Sequence, residues 1–156
     1  MQNQATMHVS PTSATNQPVP PPNGVKYELL WQAEHVKIHY AAEGNFLKLV
    51  WNGLPAKADI MEGCEQLLVY VKQYHVAKII NDVANVEGLF TESVEWIITN
   101  FGPRLDASGV YHVAWIYSEE SISRFSADTV LSRSITDTIT IVFDNLENAE
   151  RWIMSV

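Results

Sequence analysis

The stretch Lys78–Val94, KIINDVANVEGLFTESV, decides how this chain is read. Ala77, Ile79 and Ile80 are apolar with two of them adjacent, which suits a strand buried on both faces, as parallel strands are. A short strand is therefore expected within Val76–Val83, then a turn from Asn81 to Gly88. Thr91 is a fair helix N-cap with Glu92 in the first turn. Val94, Ile97, Ile98, Phe101 and Leu105 recur at helical spacing, so a helix is expected from Glu92 to Leu105. Gly102-Pro103 must kink it or end its regular part. In an open α/β sheet, ligands and partners gather where strands exit at their carboxyl ends.

A strand buried on both faces needs neighbours, and the flanking sequence supplies them. His35–Tyr40 alternates, with Val36, Ile38 and Tyr40 on one face and His35, Lys37 and His39 on the other. Phe46–Trp51 alternates again, with Leu47, Leu49 and Trp51 together. Glu43-Gly44-Asn45 between them is turn chemistry, so the pair reads as a hairpin. Tyr27–Trp31 is ambiguous between extended and helical.

Pro55 suits a helix start, and Ile60, Cys64, Leu67, Leu68 and Val71 form one stripe of a helix from Ala56 to Tyr74. Burying that stripe is worth roughly 10 kcal/mol gross. Ordering the backbone costs on the order of 20 kcal/mol, so the helix needs a sheet to lie on. Val110–Tyr117 alternates as a further strand. Ser118, with Glu119 and Glu120 behind it, is expected to cap a third helix that buries Ile122, Phe125 and Val130, with Ser132–Asp137 as loop. Thr138–Phe143 is a last, β-branched strand. Asp144 and Glu147 form a capping-box variant for a final helix facing inward with Leu146, Ala149, Trp152 and Ile153.

The order β-β-α-β-α-β-α-β-α predicts an α/β fold: an open, mostly parallel five-stranded sheet with helices packed on it and an antiparallel edge from the hairpin. The 156 residues suit one domain over 25–156. Residues 1–24 are rich in Pro, Thr, Gln and Asn and read as a disordered tail, locally extended at Val19-Pro20-Pro21-Pro22.

At this point the chain resembles the small STAS-like family of stage II sporulation protein AA-like domains, over about residues 26–156. The resemblance rests on the element order and on Leu47-Lys48-Leu49-Val50-Trp51-Asn52-Gly53 before the first helix. It rests also on Asn81-Asp82-Val83 closing the third strand, and on the ending Phe143-Asp144-Asn145-Leu146-Glu147-Asn148-Ala149-Glu150-Arg151-Trp152-Ile153. It implies an open sheet flanked by helices. Its better-known relatives are anti-sigma-factor antagonists, which bind a partner kinase and are switched by Ser or Thr phosphorylation. Related folds such as the Sec14-like lipid carriers hold apolar ligands. Antagonists carry an Asp-Ser-Ser-Gly-like run after the third strand. Here that place reads Asp82–Ser93, a longer loop without the motif.

Composition narrows the function. Ten basic against 18 acidic residues give a net charge of −8, which disfavours nucleic acid or an anionic membrane as partner, since both repel an acidic field. A single Cys64 excludes an internal disulfide and a Cys-rich metal site. With no signal peptide and no apolar run near 18 residues, a cytoplasmic location without membrane insertion is expected.

The candidate binding residues are Asn81, Asp82, Asn85, Phe90, Thr91, Ser93 and Trp96. Asp82 is suited to anchor a ligand or a partner's cation; the plainer role for Asn81 and Asp82 is to bond the turn's backbone donors. Thr91 and Ser93 sit at a helix start where phosphate is favoured by the dipole, though Glu87, Glu92 and Glu95 oppose it and simple capping is the plainer role. Trp96, beside the apolar stripe, is core filler or the rim of an apolar pocket or dimer contact near Leu89 and Phe90. His35 and His39 are about 13 Å apart along a strand, too far to share a metal. No metal site, cofactor or catalytic group is expected, because Gly-x-Ser-x-Gly, Gly-rich phosphate-loop and His-Glu-x-x-His patterns are all missing.

The expectation is a non-catalytic, regulatory module recognising a protein partner, or a second copy as a homodimer, through Asn81–Trp96. The alternative is a carrier of a small apolar or lipid ligand between sheet and helices, lined by Leu89, Phe90, Trp96 and Phe125.

Overall fold

The computed structural model describes residues 24–117 and 119–156. All of the expected tail but Gly24 lies outside the described residues, as does Ser118, the expected cap of the third helix. Six strands lie side by side in chain order: β1 (Glu28–Gln32), β2 (Val36–Ala41), β3 (Phe46–Gly53), β4 (Lys78–Val86), β5 (His112–Ile116) and β6 (Ile139–Phe143). β1, β2 and β3 pair antiparallel, and β3 to β6 pair parallel. The helices are α1 (Lys57–Tyr74), α2 (Thr91–Trp96), α3 (Gly102–Ala107), α4 (Arg124–Arg133) and α5 (Leu146–Ser155), with a π-helical turn, Ile97–Phe101, joining α2 to α3. Among the described residues no helix is long and apolar enough to cross a membrane.

The sheet has one strand more than expected. β1 pairs with β2 through a register shift between Leu29 and Trp31. That irregularity breaks the alternation by which a strand is recognised in sequence. The hairpin turn is as expected, with Asn45 at φ 49°, a left-handed conformation that Asn tolerates.

Strand order decides which face each helix covers. A β-crossover-β unit is right-handed. Because β3, β4, β5 and β6 advance in one direction across the sheet, all three crossovers fall on the same face. Leu49, Ile79 and Val113 of the sheet accordingly share one core with Cys64 and Leu67 of α1, Phe101 and Val130. Among the described helices only the terminal α5 reaches the opposite face, where Ala149 and Ile153 pack on Ile80, Ala114 and Ile116.

Helix boundaries follow local chemistry. α1 buries Ile60, Gly63, Cys64, Leu67 and Val71, with Leu68 half-buried. The Ala56 N–H donates to Asp59 Oδ2 at 2.8 Å. The regular part of the helix is interrupted near Gly102-Pro103, as expected, by the π-helical turn Ile97–Phe101. The Gly102 N–H reaches back to the Ile97 carbonyl, and this widened turn makes room for a proline that would clash in a regular helix. α4 begins at Arg124, later than expected, so Glu119 and Glu120 stand ahead of it and not in its first turn. Its buried residues are Ser126, Ala127 and Val130, while Ile122 and Phe125 are exposed. α5 is capped by Asn145, whose Oδ1 accepts from the Asn148 N–H at 2.9 Å. Asp144 lies one residue outside that cap.

Candidate functional site

β4 runs through the middle of the sheet and is longer than expected, so Asn81 and Asp82 lie within it and not at its exit. Nor does the strand order reverse at β4, and a reversal is what opens a crevice at a sheet's carboxyl edge. The two neighbours instead point to opposite faces. Ile79, Asn81 and Val83 face the helical layer of α1 to α4. Asp82 faces the α5 side, near Lys48.

On the helical side, Asn81 lies in the wall of a hollow of about 130 Å³. The sheet contributes Leu49, Ile79, Val83 and Val113, and the helices Ile60, Cys64, Ile97 and Val130. Ser134, Thr136, Thr138 and Thr140, half-buried or exposed, line its outer side. Among the described residues no Asp, Glu, Lys, Arg or His lines it. β6 is the last strand, and no crossover helix follows to cover its inner face, so the hollow stays open there. Burial drives the Cys64 thiol far above its usual range, leaving it an inert wall group.

The polar feature of the deep wall is one pair: Trp51 Nε1–H donates to Asn81 Oδ1 at 3.0 Å. Trp51 is 5% exposed. Its ring reaches this place because α1 carries Gly63 opposite, where a Cβ would stand 2.6 Å from the indole.

Asp82 has a structural task. Between Val50 and Asn52, β3 pairs with β4 across a register shift, from Asp82 to Asn85. β4 carries an extra residue there, and such a bulge takes backbone groups out of the ladder. Asp82 Oδ1 accepts the Ala84 N–H at 3.0 Å, the plain backbone-bonding role anticipated for it. Burial raises the Asp82 carboxyl above its ordinary range, opposed by the Ala84 bond and by Lys48. Behind it, Tyr27 OH donates to Glu150 Oε1 at 2.6 Å, and Lys48 Nζ stands 3.5 Å from the Tyr27 ring centre. This cluster ties the segment before β1 and α5 to the sheet.

The remaining candidates scatter. Phe90 is buried in the hollow's wall, while Leu89 and Phe125 are exposed and outside it. Trp96 is half-buried and stacked on Phe101, with ring centres 6.0 Å apart, one layer behind the wall. Asn85 is exposed. Thr91 is exposed and is the first residue of α2, the cap position being Phe90. It borders a second, more open hollow with Glu95, Phe125 and Arg133. Ser93 is 1% exposed, so phosphate cannot reach it in the folded chain. Among the described residues no three His, Cys, Asp or Glu side chains are grouped to hold a metal ion.

Sequence reasoning missed Trp51, Ser123, Ser126 and the hydroxyl row. Ser123 Oγ donates to the Val83 carbonyl at 2.9 Å, and Ser126 Oγ accepts the Phe90 N–H at 3.0 Å. These two serines fasten the end of β4 and the start of α2 to α4. The hydroxyl row left a trace: Thr136, Thr138 and Thr140 recur every second residue.

No family model matches this chain, and no curated protein does. A solved structure does: an uncharacterised protein of the DUF3478 family with a SpoIIAA-like fold, from Shewanella loihica PV-4. It is 16% identical, with a TM-score of 0.55, and the match covers 80% of this chain and 98% of that one. The chain has a SpoIIAA-like fold. The α/β architecture expected from the STAS-like resemblance therefore stands, with the strand count corrected to six. At this identity the likeness speaks for the fold alone.

Proposed function

We propose that this protein is a non-catalytic binding module that carries a small apolar ligand in the hollow between its sheet and α1 to α4. One observation carries the reading: a 130 Å³ space in the main core, walled mostly by aliphatic and aromatic side chains, with no charged one among the described residues. Ligand sites are concave and mostly apolar with a few placed polar groups. The hollow opens to solvent beside β6, so a ligand that covers its apolar walls gains about 25 cal/mol for each Å² it removes from water. Apolar cavities near this size accept bodies as large as benzene.

Native mass spectrometry of protein purified from its own host tests the reading. A co-purifying small apolar compound is expected, and it should vanish in Val113→Phe, which fills the space from the sheet side. A protein that carries nothing, and whose melting temperature no apolar compound raises, would overturn it.

A second reading, recognition of a protein partner or a second copy by Asn81–Trp96, draws on the exposed part of that segment. Asn85, Leu89 and Thr91 are all exposed, Leu89 to 57%. They lie next to the cavity residues Val86 and Phe90, so a partner seated there would touch the same loop that walls the ligand. Pull-down with Asn85→Ala and Leu89→Ser variants should lose a specific protein; an unchanged set would remove this reading. In either case a cytoplasmic setting fits the acidic, single-cysteine chain.

A further inference from the structure

We infer that the hollow selects neutral ligands bearing a hydrogen-bond acceptor, such as a ketone, ester or amide carbonyl, and that the Asn81 amide is the selecting group. The inference rests on the carrier reading and specifies the ligand's chemistry.

The indole Nε1–H of Trp51 can only donate. It lies 3.0 Å from the Asn81 side chain, so the atom facing it must be the amide oxygen. This fixes the amide's orientation by chemistry, and the Nδ2 group with its two donor hydrogens points away from the indole. Asn81 lines the hollow, and among the described residues no acceptor is bonded to its Nδ2. The neighbours of Asn81 in the sheet are Leu49 and Trp115 across the strands and Ile79 and Val83 along its own; none offers a side-chain acceptor, since the indole of Trp115 can only donate. A bare hydrocarbon seated there would leave the donor unpaired and dry, which is costly. A ligand with a carbonyl satisfies it. An ionised ligand is disfavoured for another reason: among the described residues no opposite charge lines the space to offset its desolvation. Polar groups elsewhere on the ligand can reach the hydroxyls of Thr138 and Thr140 at the outer side.

Cyclohexanone, methylenecyclohexane and cyclohexanecarboxylate share one ring and differ in the group presented. Each is titrated into the full chain while the indole N–H resonance of Trp115, which lines the same hollow, is followed by NMR. The ratio of ketone to alkene affinity is compared between wild type and Asn81→Leu. Should that variant fold poorly, Trp51→Phe with Asn81→Leu removes both partners and leaves neither group unpaired. The ratio is expected to fall about tenfold, the worth of one hydrogen bond at the upper end of its range. The carboxylate is expected not to bind. Ketone and alkene binding with the same ratio in both proteins would overturn the role of Asn81 and leave the carrier reading standing. Carboxylate binding as tight as the ketone's would overturn the preference for neutral ligands. If no probe moves the Trp115 signal at millimolar concentration, the carrier reading falls and this inference with it.

Discussion

Breaking the Trp51–Asn81 pair from each side in turn should cost stability in a non-additive way. Trp51→Phe removes the donor and part of a ring that is 5% exposed and fitted against Gly63. Lost packing and the lost bond together should cost about 2–4 kcal/mol. The orphaned Asn81 oxygen borders the hollow, where water can reach it, so its own penalty belongs at the low end. Asn81→Leu leaves the Trp51 N–H buried without an acceptor, at about 1–3 kcal/mol. Leucine's apolar body in the hollow returns roughly 1 kcal/mol of that. The double variant still loses the indole's packing but leaves neither polar group stranded. Its cost should therefore fall short of the sum of the singles by about 1 kcal/mol. Urea unfolding followed by circular dichroism measures all four proteins. Costs that add to within about 0.3 kcal/mol would refute the bond as drawn, and with it the orientation of Asn81.

Other consequences follow from the same geometry. Val83→Leu and Val113→Leu each place one extra methylene beside the hollow, and should leave the melting temperature unchanged or raise it, gaining up to about 0.8 kcal/mol; a loss above about 1 kcal/mol, typical of an overfilled core, would mean the space is not there. Ser126→Ala strands the buried Phe90 N–H at the entry to α2; it should cost about 1–2 kcal/mol and speed hydrogen exchange at Phe90, and unaltered exchange would contradict the contact. His39 is held below its free value of 6.5, first by burial and then by Lys48 and Lys37. Its contribution is thus present above pH 6.5 and lost as pH falls through the lower folded value. Asp82, raised by burial, acts oppositely: its charge is a cost at neutral pH that protonation relieves on acidification. His39→Gln should therefore flatten the decline of the denaturation midpoint on the acid side of pH 6.5, and Asp82→Asn should steepen it; two unchanged profiles would show that neither group titrates where its surroundings place it.

Local periodicity was enough to lay out most of this fold. The stripe of α1, the alternation of β2, β3 and β5 and the closely spaced isoleucines of β4 each declare their element, because a helix or strand must put its apolar residues on the face it buries. A lone cysteine rules out an internal disulfide, and a net charge of −8 makes nucleic acid an unfavourable partner to expect. Pattern reading failed where a backbone irregularity interrupted the period. The bulge in β1 hid a strand, and the bulge after Asp82 made a strand's second half look like a turn, whereas Gly102-Pro103 did announce the interruption that the π-helical turn before it makes. No one-dimensional pattern could tell that Asn81 and Asp82 serve opposite faces for different ends. Asn81 gains its meaning only beside Trp51, thirty residues earlier in the chain, and that meeting depends on a glycine in a third element. The hollow too is a property of layers: three crossovers on one face leave the last strand's inner side uncovered, and that follows from strand order and handedness, which act between elements and not within them.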